Sequence, residues 1–269
     1  MERGEPETKR SVHDVIDGVL PIVLTLLGFL HPESVSTWFQ SLAASFFAVA
    51  VPVLGGAGVV HLLSKRVGRR IQGPRVKPAP IAAEAFETAR CMYVVATLMA
   101  WPVTSGRLGH PLGLTWTLDE STGGAARVVL QTLAGLVVLD AWLYWKHRLL
   151  HTRWMFGFHK AHHAFRDPTA FAGFAVAPVE ALLTFWPLLL VGIPRATHWG
   201  PLYFPLILGF VSLNFYLHCG VTLGWVEATL PRLFLNTSAF HNVHHARANT
   251  HFGEALYLWD ALCGTRTRS

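Results

Sequence analysis

Nine of the fifteen histidines in this chain form four clusters between residues 147 and 245. They read His147-x-x-x-His151, His159-x-x-His162-His163, a lone His218, and His241-x-x-His244-His245. Spacings of three and four stack side chains on one helix face, about 5–6 Å apart at Cβ. Imidazole is the commonest metal ligand among side chains near neutral pH. A single ion rarely takes more than about four such ligands, so nine histidines predict two ions. Imidazole by itself leaves zinc, copper, iron and nickel open. A closed zinc site usually includes cysteine, but Cys91, Cys219 and Cys263 form no Cys-x-x-Cys. A zinc hydrolase is expected to carry His-Glu-x-x-His, yet neither His147 nor His241 is followed by Glu. Two iron ions held by many neutral ligands fit oxygen activation better, with zinc able to take the same ligands in purified protein.

Three neighbours of the histidines are candidates for tuning them. Asp140, Tyr144, His147 and His151 share one helical stripe, and Asp140 is placed to accept the N–H of a ligating ring and fix its tautomer. A lone histidine on an apolar helix is more often a satisfied core residue. In the company of three clusters, His218 is expected to be a ligand, and Asn214, one turn earlier, to hold a metal-bound water. Asn242 sits beside His241 and is expected near the centre.

The elements that must position these rings are mostly apolar. Hydrophobic residues make up 52% of the chain and charged residues 14%, where a soluble domain carries about 25% charge. Apolar runs span roughly 15–30, 39–63, 91–103, 128–145, 178–193 and 202–217. A spanning helix needs about 20 such residues. The second run is long enough alone, and the others need their flanks. The fifth and sixth, joined by residues 194–201, predict a re-entrant element or hairpin. The fold expected is all-α: about four membrane-spanning helices plus that pair, under a cytosolic, histidine-rich helical cap. Residues 1–127 would supply membrane helices and a basic loop, and 128–269 the catalytic domain. Gly55-Gly56-Ala57-Gly58 lies within a membrane run and predicts close helix packing.

The net charge of +6 does not indicate nucleic-acid binding, because the basic residues flank apolar stretches instead of forming a motif. With the N-terminus cytosolic, 19 of 22 Lys and Arg fall on inside segments, which puts every histidine cluster on the cytosolic side. The odd cysteine count predicts reduced thiols, and no cleaved signal peptide is expected.

Taken together and in order, DAWLYWKHRLLH, FHKAHHAF, the PVE at 178–180, LNFYLHCG, FHNVHHA and HFGEALYLWDALCGT make a specific set. Over roughly Asp140 to Thr265 the chain resembles the fatty acid hydroxylase/sterol desaturase superfamily of integral-membrane di-iron oxygenases. That resemblance implies metal binding by all nine histidines, a cytosolic di-metal centre beneath a four-helix stem, and use of O2 with two electrons per turnover. It also gives Asp260 a structural or supporting role. The chain departs from relatives at Asn214, where some have histidine, at Ala177 before Pro-x-Glu, where many have histidine, at His251, often Asn, and at Cys263, usually Phe.

The activity implied is hydroxylation or desaturation of an unactivated C–H bond in a membrane lipid, with a sterol favoured over an acyl or sphingolipid substrate. No Gly-x-Gly-x-x-Gly or His-Pro-Gly-Gly occurs, so a separate electron carrier and an NAD(P)H-dependent reductase are the expected partners. The rival readings are a membrane zinc hydrolase and a histidine-rich metal transporter. A transporter would line its spans with histidine, whereas eight of the nine lie on polar segments and only His218 is near the end of an apolar run.

Overall fold

The computed structural model describes residues 11–118, 123–195 and 197–267, and the described residues are almost entirely helical. Helix α1 (Val12–Leu27) begins at a capping box in which Ser11 and Asp14 satisfy each other's backbone N–H groups. It continues into a single tight turn, Gly28–Leu30. Gly28 is required there, since a Cβ would lie 2.2 Å from the buried Trp38 ring at the start of the next helix. That helix, α2 (Val35–Ser64), is capped by Ser34. Helices α3 (Ile81–Arg107), α4 (Ala125–Leu150) and α7 (Gly200–His218) complete the long elements.

Four of these elements are long and apolar enough to cross a membrane: α1 with its final turn, α2, α4 and α7. Their outward faces expose large aliphatic and aromatic residues, among them Val15, Ile22, Phe47, Val51, Val138 and Leu208. Such a surface has its natural solvent in lipid, and the protein is an integral membrane protein. Helix α3, the expected third span, is different. It buries twelve residues, including Glu84, Thr88, Thr97 and Thr104, and packs against α2, the short helix Pro178–Phe185 and the turns that flank it. Because it is enclosed by protein, its polar residues need no lipid-compatible face.

The fifth apolar run does not form one helix. It divides into α6 (Pro178–Phe185) and a 3-10 stretch, Trp186–Gly192, together too short to span. Pro178 occupies the first turn of α6, where no N–H is needed, and Pro187 marks the change of helical type. The glycine-rich segment of α2 is selective in its packing. A Cβ on Gly56 would lie 2.8 Å from Phe215 of α7, whereas Gly55 faces open space.

The basic stretch 65–80 is folded beneath the body. Two-residue strands Arg69–Arg70 and Val221–Thr222 pair antiparallel. Arg70 grips both oxygens of Asp167 at 2.7 Å, and Arg75 donates to the carbonyls of Asp167 and Pro168. Glu84 takes both the amide and the hydroxyl of Thr169. These contacts hold the chain just after the second histidine cluster. The polar helices α5 (Phe156–Ala164), α8 (Gly224–Thr229), α9 (Ser238–Arg247) and α10 (Leu258–Leu262) form the cap. The three cysteines are free thiols.

Candidate metal centre

Four elements deliver the nine imidazoles. His147 lies on the inner face of α4, and His151 closes that helix as its C-cap residue, its N–H bonded to the His147 carbonyl. Helix α5 carries His159, His162 and His163, α7 ends on His218, and α9 carries His241, His244 and His245. All but His151 and His163, which are half-buried, are buried.

The rings sort into two groups, each with its ligand atoms within 4.8 Å of one another. The first is His147, His151, His159, His163 and His244; the second is His162, His218, His241 and His245. The sorting has a helical logic. Every i, i+4 pair stays together: 147 with 151, 159 with 163, 241 with 245. The middle histidine of each three-member cluster crosses over, His162 into the second group and His244 into the first. Helices α5 and α9 therefore each serve both groups, which brings the groups side by side. His163 and His245, one from each, have ring centroids 4.9 Å apart.

The proton inventory shows what this arrangement lacks. His147 Nδ1 donates to the Phe252 carbonyl (2.9 Å), His244 Nδ1 to the Thr250 carbonyl (2.8 Å) and His218 Nδ1 to the Asn214 carbonyl (3.0 Å). His159 Nδ1 donates to Glu180 Oε2 at 2.7 Å. A neutral imidazole has one N–H, so in these four rings Nε2 is a bare lone pair. Yet His163 Nε2 lies 3.1 Å from the Nε2 atoms of His151, His159 and His244. In the second group His241 Nε2 is 2.9 Å from that of His218 and 3.1 Å from that of His245. His147 Nε2 is buried with no partner at all. Inward lone pairs outnumber the protons available to join them, and a cation in each group resolves the conflict. The residues present thus fit metal ions.

Charge on the rings is suppressed. Burial, reinforced by neighbouring histidines, pushes His151 down to about 3 and His163 to about 4. His159, His162, His241, His244 and His245 are driven well below the usual histidine range for the same reasons. They stay neutral at physiological pH, the state a metal ligand requires.

The surrounding residues partly differ from those the sequence suggested. Asp140 does not reach a ligating ring. Its seven-residue lead over His147 is about 10 Å of helix rise. Asp140 Oδ2 instead accepts from the Trp259 indole at 2.7 Å, and Oδ1 from the amides of Ala255 and Leu256. It ties the C-terminal segment to α4. Asn242 is half-buried, about 100° round α9 from His241, and no hydrogen bond joins its side chain to another described residue. Asn214 holds His218 through its carbonyl, and its amide donates to Gly173. Its Oδ1 is buried and unpartnered beside the cavity lined by both histidine groups, where a water could bind. Asp260 acts at one remove. It accepts from the amides of Phe252 and Gly253 and from the Thr265 hydroxyl, and so fixes the loop whose Phe252 carbonyl orients His147. A Cβ on Gly253 would strike the Leu256 carbonyl at 2.5 Å, which keeps that loop tight. His251 is not part of the centre. It stacks on Phe240 and bonds the Phe240 carbonyl and Thr267, in the left-handed conformation (φ 60°) that Asn also tolerates.

Three charged residues at the site were quoted within motifs but not singled out from the sequence as site residues. Lys146 is buried, with Nζ 3.1 Å from Glu254 and 3.9 Å from Glu180. Both carboxylates face the first histidine group, Glu180 on His159 and Glu254 at 3.7 Å from His147. The only signals were a lysine inside an apolar helix and the two glutamates in the PVE and HFGE strings.

An all-α membrane protein with a buried cluster of nine histidines whose ring nitrogens could hold metal ions is the class this fold and site define. A family model described as fatty acid hydroxylase matches residues 132–265, a stretch that contains all nine histidines. The chain belongs to the fatty acid hydroxylase/sterol desaturase superfamily. It is 30% identical over 158 residues to human (Homo sapiens) lathosterol oxidase, covering 55% of this chain and 48% of that protein. With the Delta(7)-sterol 5(6)-desaturase of Candida dubliniensis the identity is 31% over 154 residues, 54% of this chain and 36% of the relative. With a Delta(7)-sterol 5(6)-desaturase of Gibberella zeae it is 29% over 232 residues, 85% and 61% respectively. The chain spans about half the length of the curated lathosterol oxidases it matches. No solved structure matches it.

Proposed function

We propose that this protein is a membrane-bound di-iron oxygenase that hydroxylates or desaturates an unactivated C–H bond of a membrane lipid, with a sterol favoured. The observation that carries the reading is the convergence of nine neutral imidazoles into adjacent groups of five and four. Relatives named as sterol desaturases and lathosterol oxidase supply the substrate class.

Iron bound there supplies activation of O2 and removal of hydrogen from carbon. The rest falls to the protein. Backbone carbonyls of Thr250, Phe252 and Asn214, with the Glu180 carboxylate, hold the Nδ1 protons of four rings and so aim Nε2 inward. Lys146 balances the two carboxylates behind the first group. Phe174, Val176, Phe185 and Phe210 wall the centre against water on the side facing the membrane helices. Stoichiometry sets what must arrive from outside: O2, two electrons and two protons per turnover. One oxygen atom leaves as water in hydroxylation, both in desaturation. A separate electron carrier with an NAD(P)H-dependent reductase is the proposed source of electrons. The basic residues on segments adjoining the cap support a cytosolic face for the centre.

The test compares lipid extracts from cells with and without the gene, alongside metal analysis of the purified protein. A lipid that gains one oxygen or loses two hydrogens, only in air and only with iron bound, is the expected result. Zinc content with turnover that persists without oxygen would overturn the reading in favour of a hydrolase.

A further inference from the structure

Phe210 of α7 stands where three cavities meet. The first, about 30 Å³, lies against both histidine groups and is lined by His147, His162, His218, Asn214, Phe185 and Phe210. The second, about 270 Å³, is apolar and lies between α4 and α7, bounded by Leu136, Leu143, Leu206, Ile207 and Phe210. The third, about 70 Å³, sits behind α6 and shares Leu143, Ile207 and Phe210 with the second, and Thr184, Phe185 and Phe210 with the first. The outer walls reach the lipid-facing surface, where Leu133, Val137 and Leu206 are exposed on helices of membrane-spanning length.

Helix geometry aligns these walls with the centre. Phe210, Asn214 and His218 follow each other at i, i+4, i+8 on one face of α7, so Phe210 stands about 12 Å up the helix from the ligand. On α4, Leu136, Asp140, Leu143 and His147 form the matching stripe. The α7 stripe passes from apolar to polar as it approaches the rings, and on α4 Leu143 is the apolar residue next to His147. The space at the rings holds little more than a water, while the space outside Phe210 suits hydrocarbon. A space of about 30 Å³ at the rings admits nothing the size of a lipid, and Phe210 lines both it and the two apolar cavities outside.

We propose that Phe210 is the gate and the specificity-determining residue of a lateral channel, through which the hydrocarbon part of a membrane sterol enters between α4 and α7 and is admitted to the metal centre. The inference rests on the lipid-oxygenase reading for its substrate, but the gate is tested without turnover. Leu143 and Phe185 form the fixed sides of the opening, and Phe210 moves by rotating its ring into the neighbouring apolar cavity.

The experiment uses the full chain in native membranes with two photoreactive probes, a diazirine-bearing cholesterol and a diazirine-bearing stearate, and maps the labelled residues. In the unaltered protein the sterol probe is expected to label both outer positions (Leu133, Leu206) and inner ones (Thr184, Asn214). Phe210→Trp should cut inner labelling at least fivefold and leave outer labelling within twofold, with bound metal unchanged. Phe210→Leu should raise inner labelling at least twofold, and it carries the test if the larger side chain prevents folding. Equal inner labelling in all three proteins would overturn the gate, as would labelling confined to α1 and α2. Inner labelling by the stearate probe alone would keep the gate and overturn the sterol substrate. If the gate behaves as expected but lipid extracts show no oxidised product, the oxygenase reading fails independently.

Discussion

Glu180 offers the sharpest test of how the centre is organised, because it touches one histidine group and not the other. Its Oε2 accepts the His159 Nδ1 proton at 2.7 Å, and both side chains are buried. That length is in the range of charge-assisted hydrogen bonds, and burial keeps water from replacing the carboxylate. Loss of such a partner costs about 10–100-fold in metal affinity, or about 1.4–2.7 kcal/mol. Glu180→Gln keeps a neutral acceptor and is expected at the low end, near tenfold. Glu180→Ala removes the acceptor and is expected near a hundredfold. Lys146 retains Glu254 at 3.1 Å in either variant, so the fold survives. His159 belongs to the five-histidine group alone, so one metal should weaken and the other should not. Purified variants would be titrated with a graded series of chelators and their metal content read by mass spectrometry. A biphasic loss, with only the first phase moved, is expected. Should both metals leave together at the unaltered chelator concentration, or both shift equally, the assignment of Glu180 to one site is wrong.

Asp140→Asn and Asn242→Ala form a contrasting pair. The first weakens three bonds that anchor the C-terminal segment and is expected to lower stability by about 1.5–3 kcal/mol, while the second should change neither stability nor metal content by a measurable amount; thermal unfolding in detergent compares them. Lys146→Met leaves Glu180 and Glu254 facing each other without a cation, and breaking a buried pair costs about 3–5 kcal/mol; restoration of stability in the double variant Lys146→Met, Glu254→Gln would show that the charge is responsible. For the metal-free protein, acid should destabilise. Above pH about 6.5 the rings are neutral folded or unfolded and histidine adds no slope. As pH falls below that value the unfolded chain takes up protons that His151 (about 3) and His163 (about 4) refuse while folded. Each such ring then removes up to about 1.4 kcal/mol per pH unit until its own folded value is reached. A melting temperature that rises between pH 6.5 and 4.5 would contradict the burial of these rings.

The sequence alone determined the composition of the centre. Histidine at intervals of three and four, in an otherwise apolar chain, is a local pattern, and helical periodicity fixes which rings share a face without any knowledge of the fold. The apolar runs likewise located most of the membrane-length helices, because length and hydropathy are properties of a segment by itself, but the third run became the enclosed α3 and the sixth, expected as half of a re-entrant pair, became the full-length α7. Pairing between segments was beyond that logic. The crossing of His162 and His244 into opposite groups depends on how α5 and α9 face each other. Asp140 sat on the right stripe but too far along it, and its partner Trp259 lies 119 residues away. Glu180 reaches His159, and Lys146 reaches Glu254, only because α4, α6 and the C-terminal loop meet. A buried charge is recognised by its partner across space, and only the tertiary structure supplies that partner.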